Sequence, residues 1–224
     1  MIFIHCRRLK WLRGYHKLIL MYHKVDIIAS SRWWVTVDIF EKQISLLRKN
    51  YKFVNLDQYE QGNDSQVVLT FDDAYENIFN HAFPIMENYG IPFEVFINGD
   101  LIGDWNDFEN EELLTRFCSI DHLKKMAGSG GRMQWHSRNH KYLPGLSEDE
   151  LVSELDINNE LRAMFPSPHF QWFAYPFGMH DERTMEMVRT LFSGALSVSE
   201  GSDTDRYQLN RVVVDNAWMP PNVY

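Results

Sequence analysis

Gln66-Val-Val-Leu-Thr-Phe-Asp-Asp73 is an apolar run that ends in two adjacent carboxylates. Its first part, Gln66 to Thr70, reads as a strand buried on both faces. The pattern turns helical from about Tyr75 to Tyr89, with a bend at Pro84 and a stop at Gly90. The same rhythm repeats on both sides. Upstream, Lys17-Leu-Ile-Leu-Met21 reads as a strand, and Phe40, Ile44 and Leu47 recur at helical spacing over Asp38 to Asn50, with Asp38 as the cap. Downstream come a strand at Pro92–Ile97, a long polar loop from Gly99 to Phe117, a short helix at Asp121–Ala127 and a strand at Arg132–Trp135. A capping box, Ser147-x-x-Glu150, opens a helix predicted to run to about Phe165. A strand at Gln171–Ala174, a helix at Asp181–Phe192 and closing strands at Ala195–Val198 and Val212–Val214 complete the series. Alternation of this kind predicts an α/β fold with parallel strands. A closed or nearly closed barrel and an open doubly wound sheet fit it equally.

Composition narrows the class. The 224 residues are 45% hydrophobic and 24% charged, ordinary for a globular chain. With 31 acidic against 22 basic residues, the formal charge of -9 argues against a nucleic-acid partner. Cys6 and Cys118 stand far apart in no metal spacing, so no disulfide framework is expected. No repeat or linker is visible, and the expectation is a basic N-terminal arm over residues 1–16 followed by one domain over 17–224. Arg7, Arg8, Lys10, Arg13, Lys17 and Lys24 all precede the first acidic residue, Asp26. Weak contact with an anionic membrane surface is one reading of that arm, and a solvated tail is the plainer one. No run nears the roughly 20 apolar residues needed to span a bilayer. Met1–His5 is also too short for a secretory signal. The expected location is therefore cytoplasmic, peripheral to the inner face of a bacterial membrane if the arm touches it. A removed leader would change that to secreted.

Chemistry in parallel α/β folds gathers where strands end. Asp72 and Asp73 follow one strand, His136 and His140 another, Tyr175-Pro-Phe-Gly178 a third, and His23 ends the first. Adjacent carboxylates in a partly buried site raise one pKa or demand a cation. One carboxylate with two imidazoles leaves positions open for water, as in a catalytic metal site, and the second carboxylate is then free to act as a base. Taken singly, each signal has a plainer explanation: either aspartate could cap the following helix, and a lone histidine is more often a core residue. Their joint arrival at strand ends favours a site.

In this order, Leu69-Thr-Phe-Asp-Asp73, His136-Ser-x-x-His140 and Phe173-Ala-Tyr-Pro-Phe-Gly178 resemble the motifs of the polysaccharide deacetylase family, the NodB-homology domain of carbohydrate esterase family 4. The likeness runs from about Leu18 to Val214. Leu20-Met-Tyr-His-Lys-Val25 further resembles the permuted branch that contains poly-N-acetylglucosamine deacetylases. The resemblance implies a distorted (β/α) barrel of about seven parallel strands. It implies that Asp73, His136 and His140 hold one divalent metal ion, most often zinc, with other transition metals also in use. Asp72 would be the general base and His23 the general acid that protonates the departing amine. The turn at Pro176-Phe177 would present the Phe177 N–H to the developing oxyanion, with Tyr175 beside it on the substrate side. The implied reaction is removal of an N-acetyl group from an amino sugar in a polysaccharide or surface-glycan precursor. The alternatives are a related hydrolase of a formamide or other non-peptide amide, and a carbohydrate-binding pseudoenzyme.

Other branches of the family carry an arginine before the third motif's aromatic, where this chain has Ala174 and Tyr175. Arg211 is a candidate partner for Asp72 in its stead, although a surface or structural arginine is the plainer reading. Trp33, Trp34, Trp105 and Trp135 lie nearest the predicted loops, and fewer than half of them are expected to meet sugar.

Overall fold

The computed structural model describes residues 17–59, 65–106, 113–198 and 204–220. The basic arm expected over residues 1–16, Cys6 included, lies outside the described residues.

Seven parallel strands make one curled sheet: β1 (Lys17–Tyr22), β5 (Gln66–Asp72), β6 (Phe93–Ile97), β7 (Gly131–Trp135), β8 (Trp172–Ala174), β9 (Gly194–Leu196) and β10 (Val212–Val213). Their spatial order is β10-β1-β5-β6-β7-β8-β9, and a short strand β4 (Lys52–Phe53) also pairs with β5. The two ends of this order are stitched by one segment. Leu209 bridges Leu196 of β9, and Val212 and Val213 pair with Leu20 and Met21 of β1. The sheet therefore curls into a distorted (β/α) barrel, and the open doubly wound alternative falls away. Two short strands, β2 (Lys24–Asp26) and β3 (Trp34–Thr36), pair with each other beside it.

Alternation along the strands sorts side chains between two cores. Leu20, Leu69, Phe71, Phe93, Val95 and Met133 pack outward against the helices, while Ile19, Val68, Phe96, Trp172 and Leu196 fill the inside of the barrel. Every residue of β5 is buried, as expected of a central strand covered on both faces. In register with Val68, the side chains of Thr70 and Asp72 follow on the inner face. Parity thus turns Asp72 into the barrel.

Helix α1 (Val37–Asn50) buries Phe40, Gln43, Ile44 and Leu47. Each of its three apolar anchors contributes roughly 1.5–3 kcal/mol of burial. Its N-cap is Thr36 rather than Asp38, which sits in the first turn near the positive end of the helix dipole. After the brief α2 (Leu56–Tyr59), the helix expected over 75–89 runs unbroken from Glu76 to Asn88, with a π-helical stretch, Ile78–Ala82, leading directly into α3 (Phe83–Asn88). Pro84 has no N–H to give to the turn before it, and the irregularity expected there takes the form of the π-helical stretch just upstream. Ser119 caps α4 (Ile120–Gly128). The capping box at Ser147 and Glu150 opens α5 (Glu148–Leu155), which stops well before Phe165. A second helix, α6 (Asn159–Met164), begins after Asn158, whose side chain accepts from the Leu161 N–H at 2.8 Å. Asp181 caps α7 (Glu182–Leu191). Among the described residues no helix is long and apolar enough to cross a membrane.

Candidate active site

At the carboxyl end of β5 the chain turns abruptly. Asp73 and Ala74 both adopt left-handed backbone conformations, with φ of 67° and 56°. Side chains rarely tolerate that region, and where it persists the surroundings enforce it. Here the turn separates the two aspartates, so that Asp72 stays with the inner face while Asp73 reaches the loop after β7. Asn98, the first residue beyond β6, donates from Nδ2 to Asp73 Oδ1 at 2.8 Å.

Asp73, His136 and His140 converge. His136 Nε2 lies 3.7 Å and His140 Nε2 3.6 Å from Asp73 Oδ1, and one ligand atom from each residue lies within 4.8 Å of the others. His136 Nδ1 sits 2.6 Å from the Ala174 carbonyl oxygen. An N–H is required there, which leaves the Nε2 lone pair facing the cluster. Burial pushes the His136 pKa down to about 4 against the pull of Asp72 and Asp73, so the ring is neutral at pH 7. A carboxylate oxygen and two imidazole nitrogens that converge on one point form a donor set that fits a divalent cation.

Asp72 is held differently. Arg211 Nη1 and Nη2 donate to its two oxygens at 2.6 and 2.7 Å, and both side chains are almost completely buried. Arg211 also donates to Thr70 Oγ1 at 3.2 Å and to the Ser197 carbonyl at 3.3 Å, so its planar fork is fixed on several sides. Burial alone would raise the Asp72 pKa, but the Arg211 guanidinium, hydrogen-bonded to both oxygens, overcomes it and holds the carboxyl well below its usual range. The reading of Arg211 as a surface or structural residue is therefore corrected: it is a buried partner of Asp72.

His23 follows β1. Its Nδ1 is buried without a hydrogen-bond partner among the described residues, and its ring lies 4.8 Å from that of Trp33. Burial lowers its pKa while Asp72 and Asp73 pull upward, which brings it within the field of the same site. Phe177 turns at φ 59°, and its side chain is 60% exposed, with its ring 4.6 Å from His140. Tyr175, expected beside it, turns its side chain into the core. It is fully buried, its hydroxyl donates to the Tyr207 carbonyl at 3.0 Å, and its ring stacks on His180. In a continuing strand residues 175 and 177 would share a face, but the chain turns at Pro176–Gly178, which exposes Phe177 and leaves Tyr175 in the core.

Of the four tryptophans, Trp135 and Trp34 are core residues at 1% and 4% exposure, while Trp105 is half exposed. An open groove of about 490 Å³ runs past Trp105, with Asp26, Trp34, Glu76, Asn77 and Arg116 along it. Asn98 escaped the sequence reading although it satisfied the rule applied to the other strands, since it is the first residue past β6.

A family model described as polysaccharide deacetylase matches residues 59–191, which take in Asp72, Asp73, His136, His140 and Phe177 and leave out His23 and Arg211. YxkH of Bacillus subtilis is 26% identical over 208 residues, covering 88% of this chain and 70% of that protein. The poly-beta-1,6-N-acetyl-D-glucosamine N-deacetylase of Staphylococcus epidermidis is 26% identical over 236 residues, covering 89% of this chain and 79% of its own length. Among solved structures, the Streptococcus pyogenes deacetylase PplD, determined with acetate, superposes with a TM-score of 0.76 at 22% identity over 90% of this chain and 93% of PplD. IcaB of Ammonifex degensii gives 0.74 at 23% identity over 90% and 92%. The matched span, the barrel and the relatives agree, and the chain belongs to the polysaccharide deacetylase family.

Proposed function

We propose that this protein hydrolyses the N-acetyl group of an amino sugar within a polysaccharide or surface-glycan precursor, releasing acetate and a free amine. The observation that carries the reading is the meeting of Asp73, His136 and His140 within 4.8 Å, beside a second carboxylate clamped by Arg211. Asp73, His136 and His140 would hold a divalent cation, zinc being the first candidate and other transition metals the next. Such a cation supplies Lewis-acid polarisation of the acetyl oxygen and acidifies the attacking water.

The residues of the chain divide the remaining work. Asp72 accepts the proton of the water that attacks the acetyl carbon, and Arg211 keeps that carboxylate ionised and aimed. His23 donates a proton to the sugar nitrogen as the C–N bond breaks, since an unprotonated amine anion is a poor leaving group. A positioned base and acid contribute about 10² to 10⁴-fold each. The Phe177 turn offers its backbone N–H to the oxyanion, where one good donor contributes about 3 kcal/mol. Its exposed ring, lying against His140, gives the pyranose a flat face to rest on.

The test is incubation of the zinc- or cobalt-loaded protein with N-acetylglucosamine oligomers of increasing length, reading acetate and free amine. Equimolar release of both is expected. Absence of acetate from every oligomer, with cation bound, would remove the proposal.

A further inference from the structure

The second imidazole of the cluster depends on a loop with little regular structure of its own. Between His136 and His140 the chain passes through two left-handed residues, Ser137 at φ 73° and His140 at φ 52°. Such a conformation lasts only where neighbours over-determine it. One restraint is internal, the His140 N–H donating to Ser137 Oγ at 3.0 Å. Others come from the segment after β6, where the Gly99 and Asp100 N–H groups donate to the Ser137 and Arg138 carbonyls at 3.1 and 3.0 Å and the side chains of Arg138 and Asn139 donate to Asp100. The rest converge on a single residue of α5. The Arg138 N–H and Trp135 Nε1 donate to the Glu154 backbone carbonyl, each at 3.1 Å. The Asn139 N–H donates to Glu154 Oε2 at 2.9 Å, and Asn139 Nδ2 donates to Oε1 at 3.2 Å. Lys141 Nζ lies 3.4 Å from the same Oε1.

Glu154 is 1% exposed, whereas Glu148, Asp149 and Glu150 on the same helix face solvent. Withdrawing a carboxylate from water is costly unless strong donors replace it. The described side-chain partners of Glu154, Asn139 and Lys141, flank His140 directly in the chain.

We propose that Glu154 is a positioning residue for the cation site. By fixing both the backbone and the side chain of Asn139, it aims His140 Nε2 at the point shared with Asp73 Oδ1 and His136 Nε2. The proposal rests on the reading of that cluster as a cation site. Outer-shell partners of this kind govern affinity by restricting the ligand to its binding orientation.

The experiment measures Zn²⁺ and Co²⁺ affinity of the purified full-length protein by chelator competition, together with the visible absorption of the Co²⁺ form. Glu154→Ala is expected to weaken binding about 10- to 100-fold and to alter the cobalt spectrum. Glu154→Gln, which keeps one carbonyl oxygen as acceptor, falls between it and wild type. Asn139→Ala removes only the side-chain half of that link and keeps the backbone N–H on Glu154 Oε2, so it weakens binding less than Glu154→Ala, and the double variant adds little to Glu154→Ala. Exposed Glu148→Ala serves as control and binds as wild type. If Glu154→Ala fails to fold, Asn139→Ala and Glu154→Gln carry the expectation of weakened binding. Wild-type affinity and an unchanged spectrum in the Glu154 and Asn139 variants would overturn the proposal, even if their melting temperatures drop. A wild-type protein that binds neither ion would instead overturn the cation-site reading and this inference with it.

Discussion

Replacing Arg211 by methionine removes both donors from a carboxylate that has almost no access to water. The orphaned Asp72 then has two courses. It can remain charged, and breaking a buried pair in this way costs about 3–5 kcal/mol. Or it can take up a proton, which relative to an ordinary aspartate of pKa about 3.9 costs about 4 kcal/mol at pH 7 and about 1.5 kcal/mol at pH 5. The cheaper course sets the loss, so Arg211→Met should destabilise by about 3–4 kcal/mol at pH 7 and by about 1.5 kcal/mol at pH 5. The sign agrees with wild type. Its Asp72 pKa is depressed, so the stability it contributes is present above the unfolded-state value and disappears as pH falls through the folded one. Urea denaturation of wild type, Arg211→Met, Asp72→Asn and the double variant at both pH values gives the differences and the coupling. A loss below about 1 kcal/mol at pH 7, or one independent of pH, would refute the claim that this guanidinium keeps Asp72 ionised.

Three further outcomes are expected. Asp72→Asn should retain cation affinity in equilibrium dialysis while turnover falls by about 10² to 10⁴-fold or more, whereas Asp73→Ala and His140→Ala should lose both together; cation loss in Asp72→Asn would mean that the two carboxylates have exchanged roles. His23→Ala should lower kcat by about 10² to 10⁴-fold with KM nearly unchanged in steady-state assays, and an unaltered kcat would exclude it as the acid. Burial pushes the Glu94 pKa up to about 7 against the N–H donors of Gln134, Leu56 and Asn55, so the stability tied to its neutral form is complete below about pH 4.5 and declines as pH rises through 7. The decline amounts to about 3 kcal/mol, and Glu94→Gln should remove it, so parallel wild-type and variant denaturation curves across that interval would contradict the account.

Much of this was legible in the residues. β5 announced itself because a central parallel strand has no polar face, and the capping side chains of Ser147 and Asp181 marked helix starts that the structure keeps. Strand ends then located Asp72, Asp73, His136 and His140 without any knowledge of packing. Other features depended on tertiary contacts that spacing does not encode. Arg211 is 139 residues from Asp72 and stands in a segment with no periodicity, so only closure of the barrel reveals their pairing. The helix expected to continue to Phe165 breaks because Asn158 offers its side chain to the Leu161 N–H, a local competition that apolar periodicity conceals. Glu154 was readable in principle: it lies three residues after Leu151 and next to Leu155, on the buried face of α5. A charged residue there is a conflict between pattern and chemistry, and the loop that carries His140 resolves it.

Leu209–Val213 is both the stitch between the sheet's two ends and the carrier of Arg211. A nascent polypeptide halted before that point would already contain the paired aspartates and both loop histidines, yet its inner aspartate would lack a counter-ion. The charge on that aspartate is therefore coupled to closure of the barrel: the segment that joins the sheet's two ends also neutralises the carboxylate that β5 delivers.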